Sequence, residues 1–152
     1  MRLMPKFSLL VIVVVLVSVL SSLSVRAADQ YIIFSLNPQL PTLSTSQVKM
    51  IYRGKMTQID GIPFELLDLP ASSQQRNQFY QLLLNKTPSQ MAAIWAKQTF
   101  SGRTKQPFQL SEQSIKEVME WLAITPSGIA YFPANEVPSD VHVLYQFTTE
   151  EE

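Results

Sequence analysis

The sequence predicts an α/β fold in which a mostly parallel sheet is flanked by helices, and two patterns carry that expectation. Short apolar runs rich in β-formers recur along the chain, and between them lie segments whose apolar residues fall at i, i+3 and i+4. Strands that alternate with helices build largely parallel sheets covered on both faces.

Tyr31-Ile32-Ile33-Phe34 is the first buried strand, and the breaker-rich Asn37-Pro38-Gln39-Leu40-Pro41 that follows is a loop. Ser44 or Ser46 can cap a helix with Val48, Ile51 and Tyr52 on one face, closed by Gly54. Pro63 to Leu69 is the next strand, ending at Pro70. A helix then opens in Ala71-Ser72-Ser73-Gln74-Gln75-Arg76, with Phe79, Leu82 and Leu83 as its stripe. Beyond Asn85, Pro88 suits the first turn of a helix that presents Met91, Ile94 and Trp95. A loop from Phe100 to Phe108 holds Gly102 and Pro107. Ser111 is expected to cap the most regular helix, with Ile115, Val118, Met119 and Leu122 in register, up to Pro126. Gly128 to Phe132 and Val141 to Phe147 are the last strands, and in the second Val141, Val143, Tyr145 and Phe147 alternate.

The N-terminus reads as a secretory signal peptide over residues 1–27. A basic start with Arg2 and Lys6 precedes the apolar run Phe7 to Leu20, and small residues follow, with Val25 and Ala27 at −3 and −1. An uncleaved anchor is the alternative, but a spanning helix wants about 20 apolar residues, and serines interrupt this run after Leu20. Residues 28–148 then form one domain and 149–152 an acidic tail expected to be disordered. A chain of 152 residues, 46% hydrophobic, can build one such core but not two large ones.

Export changes the charge. Removing Arg2, Lys6 and Arg26 leaves nine basic residues against 12 acidic ones, so no basic excess remains for nucleic acid. Cysteine is absent, which excludes disulfides, a thiol nucleophile and a Cys-bound metal. No residue spacing matches a zinc site, a P-loop or a nucleophile elbow. The one histidine, His142, reads as a solvent-facing strand residue, and Glu112, Glu117 and Glu120 as a solvated helix face. Neither an enzyme nor a cofactor is expected.

Arg76 is the feature that needs an explanation. The start of a helix carries partial positive charge and disfavours a cation by roughly 0.3–1 kcal/mol, yet Arg76 sits there. Helix starts bind anions through free N–H groups. Ligands of open α/β sheets bind beyond the carboxyl ends of strands. A guanidinium adds bidentate recognition of an oxyanion, and the spacing of Arg76 from Phe79 and Leu83 leans it toward the sheet. The plainer reading makes Ser72 the cap, with Gln75 completing a capping box and Arg76 exposed. Asp68, at the end of the preceding strand, is a second residue of interest, although acids there often only cap turns.

Read in order, Asn37-Pro38, Leu43-Ser44-x-x-Gln47-Val48-x-x-Ile51-Tyr52-x-Gly54-Lys55 and Ser73-x-x-Arg76-x-x-Phe79-Tyr80 lead on to Trp95, Phe100-Ser101-Gly102-Arg103 and Pro126-Ser127-Gly128-Ile129-Ala130-Tyr131. This order resembles the short, single-domain relatives of periplasmic phosphate-binding proteins, the substrate-binding components of phosphate ABC transporters. The resemblance runs from about Tyr31 to Tyr145. It implies one lobe of a type II periplasmic-binding-protein-like fold and a ligand that is phosphate or a similar oxyanion. Ser73 and Arg76 match the family's Ser-x-x-Arg and Asn37 its loop after the first strand, while Ser72 joins them on capping grounds.

Two departures stand out. Asp68 to Ser73 lacks the glycines of the family's Asp-Gly-Ser-Gly-Thr-like loop, and Ser127 and Ala130 replace the glycines around its Ala-Ile. The implied role is that of a periplasmic scavenger, sensor or uptake accessory, partnered by an ABC transporter or a sensor membrane protein, with a homodimer left open. The alternative is an interaction module that kept the lobe and lost the ligand.

Overall fold

The computed structural model describes residues 30–147, so the signal-peptide reading and the acidic tail lie outside the described residues. Among the described residues, seven strands and four α-helices follow in the order β1 (Tyr31–Ser35), α1 (Thr45–Tyr52), β2 (Gln58–Ile59), β3 (Ile62–Pro63), β4 (Glu65–Asp68), α2 (Gln74–Leu84), α3 (Pro88–Phe100), β5 (Phe108–Gln109), α4 (Ile115–Ile124), β6 (Gly128–Pro133) and β7 (His142–Phe147). Five strands form one sheet in the order β5-β4-β6-β1-β7, and β2 and β3 form a separate hairpin. β4 runs parallel to β5 and β6, whereas β1 is antiparallel to both β6 and β7. Four strands therefore point one way, with β1 against them, which gives the mostly parallel sheet expected.

Local chemistry sets the helix ends. Ser44 caps α1 in a capping box with Gln47, and Gly54, at φ +66, ends it as the Gly54 N–H donates to the Ile51 carbonyl. Thr87 and Gln90 form the same box on α3, with Pro88 in its first turn. Asn85 in the left-handed region closes α2.

Three local expectations are corrected. α4 starts at Ile115, not from a Ser111 cap, because the preceding chain is committed to the sheet: the Leu110 N–H donates to the Asp68 carbonyl, and Leu110 is buried. On α2, Leu82 is exposed while Arg76, Phe79, Tyr80, Leu83 and Leu84 are buried, so the inward face is centred between Phe79 and Tyr80. On β7 the register shifts between Ile33 and Phe34, which face Tyr145 and Val143 respectively. That irregularity turns Leu144 inward and Val143 outward, breaking the simple alternation.

The core is aromatic where α2 meets the sheet. Phe79 is stacked on Tyr131 with ring centroids 3.6 Å apart and meets Tyr52 edge-on at 4.9 Å. Tyr31, Tyr80 and Phe147 surround the same ring. This packing holds α2 against β6 and β1, and so fixes where the start of α2 lies relative to the end of β4. Among the described residues no helix is long and apolar enough to cross a membrane.

Candidate functional site

β4 delivers Asp68 to its C-terminal end with the carboxylate buried. The chain then turns through Pro70, Ala71 and Ser72, with the Ser73 N–H donating to the Pro70 carbonyl at 2.8 Å. Ser73 is the N-cap of α2: its hydroxyl accepts from the Arg76 N–H at 3.1 Å and donates to Gln113 Oε1. The cap is thus Ser73, not Ser72, which stays exposed at the surface. Arg76 falls at the third helical position and turns inward, where it is 9% exposed.

Inside, the guanidinium meets Asp68. Arg76 Nε donates to Asp68 Oδ2 at 2.9 Å, and the same oxygen accepts from the Tyr80 hydroxyl at 3.0 Å. Asp68 Oδ1 accepts from the Leu69 N–H at 2.9 Å and from the Tyr131 hydroxyl at 2.5 Å. An ionised carboxylate offers about four acceptor positions, so this one is fully used. The guanidinium carbon also lies 5.3 Å from the Tyr80 ring centroid, in reach of a cation–π attraction. Burial opposes the Arg76 charge, but the attraction and hydrogen bond of Asp68 more than offset it, leaving the pKa above its ordinary value.

Only Nε of the guanidinium is used. Its terminal nitrogens take no hydrogen-bond partner among the described residues, and Arg76 lines a cavity of about 440 Å³ with Asp68, Ser89, Trp95, Gln106 and Gln109. The cavity takes in Asp68 at the carboxyl end of β4, Gln106, Pro107 and Gln109 in and before β5, and Pro88 and Ser89 in the first turn of α3; the carboxyl ends of strands are where open α/β sheets bind ligands. Trp95 is 4% exposed and its indole N–H has no partner among the described residues.

Ser72, Ser73 and Arg76 are neighbours by chain, but Asn37 does not join them. Because β1 runs against β4 and β6, its C-terminal end lies where those strands begin: the Ser35 hydroxyl donates to the Gly128 carbonyl at 2.6 Å, and the Asn37 N–H donates to Ser35 Oγ. The Asn37 side chain accepts from the Gln39 N–H instead. His142, opposite Ser35 in the β7 register, is at that far end too, half-buried, with Nε2 2.7 Å from the Leu40 carbonyl oxygen rather than facing solvent. Among the described residues no group of three or more His, Cys, Asp or Glu could hold a metal ion.

Sequence reasoning missed Tyr80 and Tyr131 as ligands of the Asp68 carboxylate, and it missed Asp68 as the partner of Arg76. Burial pushes the phenols of Tyr52, Tyr80 and Tyr131 well above their ordinary range, and the negative charge of Asp68 adds to it. A phenol kept neutral by the fold gives stability that is fully present below pH about 10 and is lost above it, because the unfolded chain releases protons that the folded chain retains. Stability should therefore fall by up to about 4 kcal/mol per pH unit once these three phenols titrate in the unfolded state. Denaturant melts between neutral pH and strong alkali, followed by tyrosinate absorbance, check this; phenolate appearing in the folded protein for all five described tyrosines near pH 10 would contradict it.

No protein-family model matches the sequence, and no curated protein does. Solved structures do. A phosphate ABC transporter substrate-binding protein from Clostridium perfringens, with bound phosphate, aligns over 78% of this chain at 18% identity and a TM-score of 0.57. An ABC-type phosphate transport receptor from Vibrio cholerae aligns over the same share at 15% identity and 0.57, and PstS from Borrelia burgdorferi at 18% and 0.55. The chain spans less than half the length of these proteins, 45–47% of each. The neighbours are transport proteins by name, and the likeness is one of fold: this chain is built as a single periplasmic-binding-protein-like α/β lobe, similar to about half of a phosphate transport receptor.

Proposed function

We propose that this protein is an exported, periplasmic oxyanion-binding protein of the phosphate-transport substrate-binding type, acting as a scavenger, sensor or uptake accessory. The observation that carries the reading is Arg76. Its Nε is fixed by Asp68, its terminal nitrogens take no hydrogen-bond partner among the described residues, and Arg76 lines the cavity; a guanidinium with two free terminal nitrogens can engage an oxyanion bidentately. Ser73 positions the arginine by capping its amide, Ser72 offers a hydroxyl at the exposed start of the same helix, and Asn37 takes no part. Phosphate is the ligand expected from the fold neighbours, with a membrane transporter or sensor as the downstream partner and a homodimer as one way to enclose the site.

The Asp68 charge sets the strength. A carboxylate beside the guanidinium leaves the pair with no net charge, so an anion gains directional hydrogen bonds but little Coulomb energy. Modest affinity follows. Phosphate at 100 times its dissociation constant should stabilise the fold by about 2.7 kcal/mol, a rise in melting temperature of roughly 10 °C. Arg76→Lys keeps a charge for Asp68 but loses the fork, and should remove that rise, as should Arg76→Ala. An unchanged melting temperature at tens of millimolar phosphate and matched ionic strength would contradict the reading.

One observation favours the alternative, an interaction module without a ligand. The Asp68 carboxylate already accepts from Arg76 Nε and two tyrosine hydroxyls, as a bound oxyanion would. On that reading phosphate changes nothing.

A further inference from the structure

We infer that the preferred ligand of this site is an organic phosphate monoester and not the free ion, an inference that rests on the oxyanion reading above. The phosphoryl group would sit on the Arg76 terminal nitrogens and the organic group against Trp95 and Pro107.

Three observations point there. The first is size: a cavity of about 440 Å³ falls in the range of pockets that hold organic molecules, about 300–1,000 Å³, whereas inorganic phosphate has five heavy atoms. The second is the wall. Besides Asp68, Arg76, Ser89, Gln106 and Gln109, the lining includes the apolar Ala71, Pro88, Ala92, Trp95 and Pro107, and a free phosphate ion would leave oxygens facing those groups without donors, at a desolvation cost. An ester replaces one of those oxygens with a group that wants apolar contact. The third is charge. Asp68 offsets Arg76, so a ligand that binds by charge alone gains little, and burial of an organic part must supply the rest.

The cavity also has room to grow. Trp95, Gln106, Pro107 and Gln109 line a second, larger groove of about 1140 Å³, with Phe64 and Phe108 on its walls. An ester whose organic part exceeds the first cavity can extend past Pro107 into that groove, where Arg103 and Lys105 also lie.

The test is calorimetric titration of the intact chain with phenyl phosphate, inorganic phosphate and phenol in turn. Phenyl phosphate is expected to bind at least about tenfold more tightly than inorganic phosphate, since about 55 Å² of apolar burial suffices for that factor. Phenol should bind more weakly than phenyl phosphate. Ala92→Leu, a substitution at an exposed helix position that adds bulk to the apolar lining, should narrow the gap between the two phosphates without loss of fold. Equal affinity for the two phosphates, or phenol binding as tightly as phenyl phosphate, overturns this inference and leaves the oxyanion reading to stand on its own test. Failure of both phosphates to bind overturns the two together.

Discussion

Asp68→Ala is expected to lower the unfolding free energy by about 3–5 kcal/mol, because removing one member of a buried ion pair leaves the other charge uncompensated. Here the loss is wider than one pair. Arg76 Nε and the Tyr80 and Tyr131 hydroxyls lose their acceptor together, and the Leu69 N–H keeps only a long 3.5 Å contact to the Tyr131 hydroxyl; a buried donor without a partner costs about 1–3 kcal/mol. For a domain of ordinary stability, about 5–15 kcal/mol in total, that is a large share. Asp68→Asn keeps the shape and one acceptor oxygen and should lose less. Removing the charge from both sides in Asp68→Asn with Arg76→Gln should recover part of the single-variant loss, since no uncompensated charge remains. Urea melts of the four proteins decide it: a loss under about 1 kcal/mol for Asp68→Ala would place the pair among weak surface ion pairs and contradict its buried role.

Phe79→Ala is expected to cost a similar amount, about 3–5 kcal/mol, through lost burial plus the cavity left behind. Phe79 is fully buried and is the ring on which the aromatic core turns. It stacks on Tyr131 at 3.6 Å and meets Tyr52, Tyr80, Tyr31 and Phe147 within 5.9 Å. Its loss has a second consequence that a distant core residue would not have. Tyr131 and Tyr80 hold Asp68, and Asp68 holds Arg76, so a cavity at Phe79 loosens both rings that fix the guanidinium. Phe79→Leu, which fills most of the space, should restore most of the stability. Thermal melts combined with near-ultraviolet circular dichroism of the tyrosines test the pair. Retention of the full tyrosine signal in Phe79→Ala would show that the ring does not organise its neighbours.

Much of this was legible in the sequence, and the gaps have physical causes. The serine cap at Ser44, the glycine after α1 and the proline opening α3 are local signals, and local interactions produced the features they announce, while the Thr87 cap of α3 went unread. The β2–β3 hairpin was not read from the sequence, although Asp60-Gly61, at φ values of +49 and +82, is the left-handed pair that two-residue turns favour. The run of apolar residues in β1, by contrast, says that the strand is buried but not which way it points. A central antiparallel strand and a central parallel one read alike. Strand direction decides where Asn37, named by the resemblance, lies: near the start of β6 and not at the carboxyl end of β4.

The same limit applies to the site. Arg76 at a helix start signalled an anionic partner, and the partner is an anion, but it is the chain's own Asp68 eight residues earlier. The Tyr131 hydroxyl that completes the cluster comes from 63 residues away. Nothing in residue spacing brings it to Asp68; only the sheet order, with β4 beside β6, does so.

In the proposed site Arg76 keeps two terminal nitrogens for an oxyanion while Asp68 holds the third. The most direct measurement is a side-chain nitrogen and amide NMR titration with phosphate at constant ionic strength. Saturable shifts of the Arg76 terminal nitrogens, accompanied by Ser89 and Gln109 across the cavity and with Nε still bonded to Asp68, are the predicted result. Shifts spread over surface lysines, or a silent Arg76 guanidinium at saturating phosphate, would contradict it.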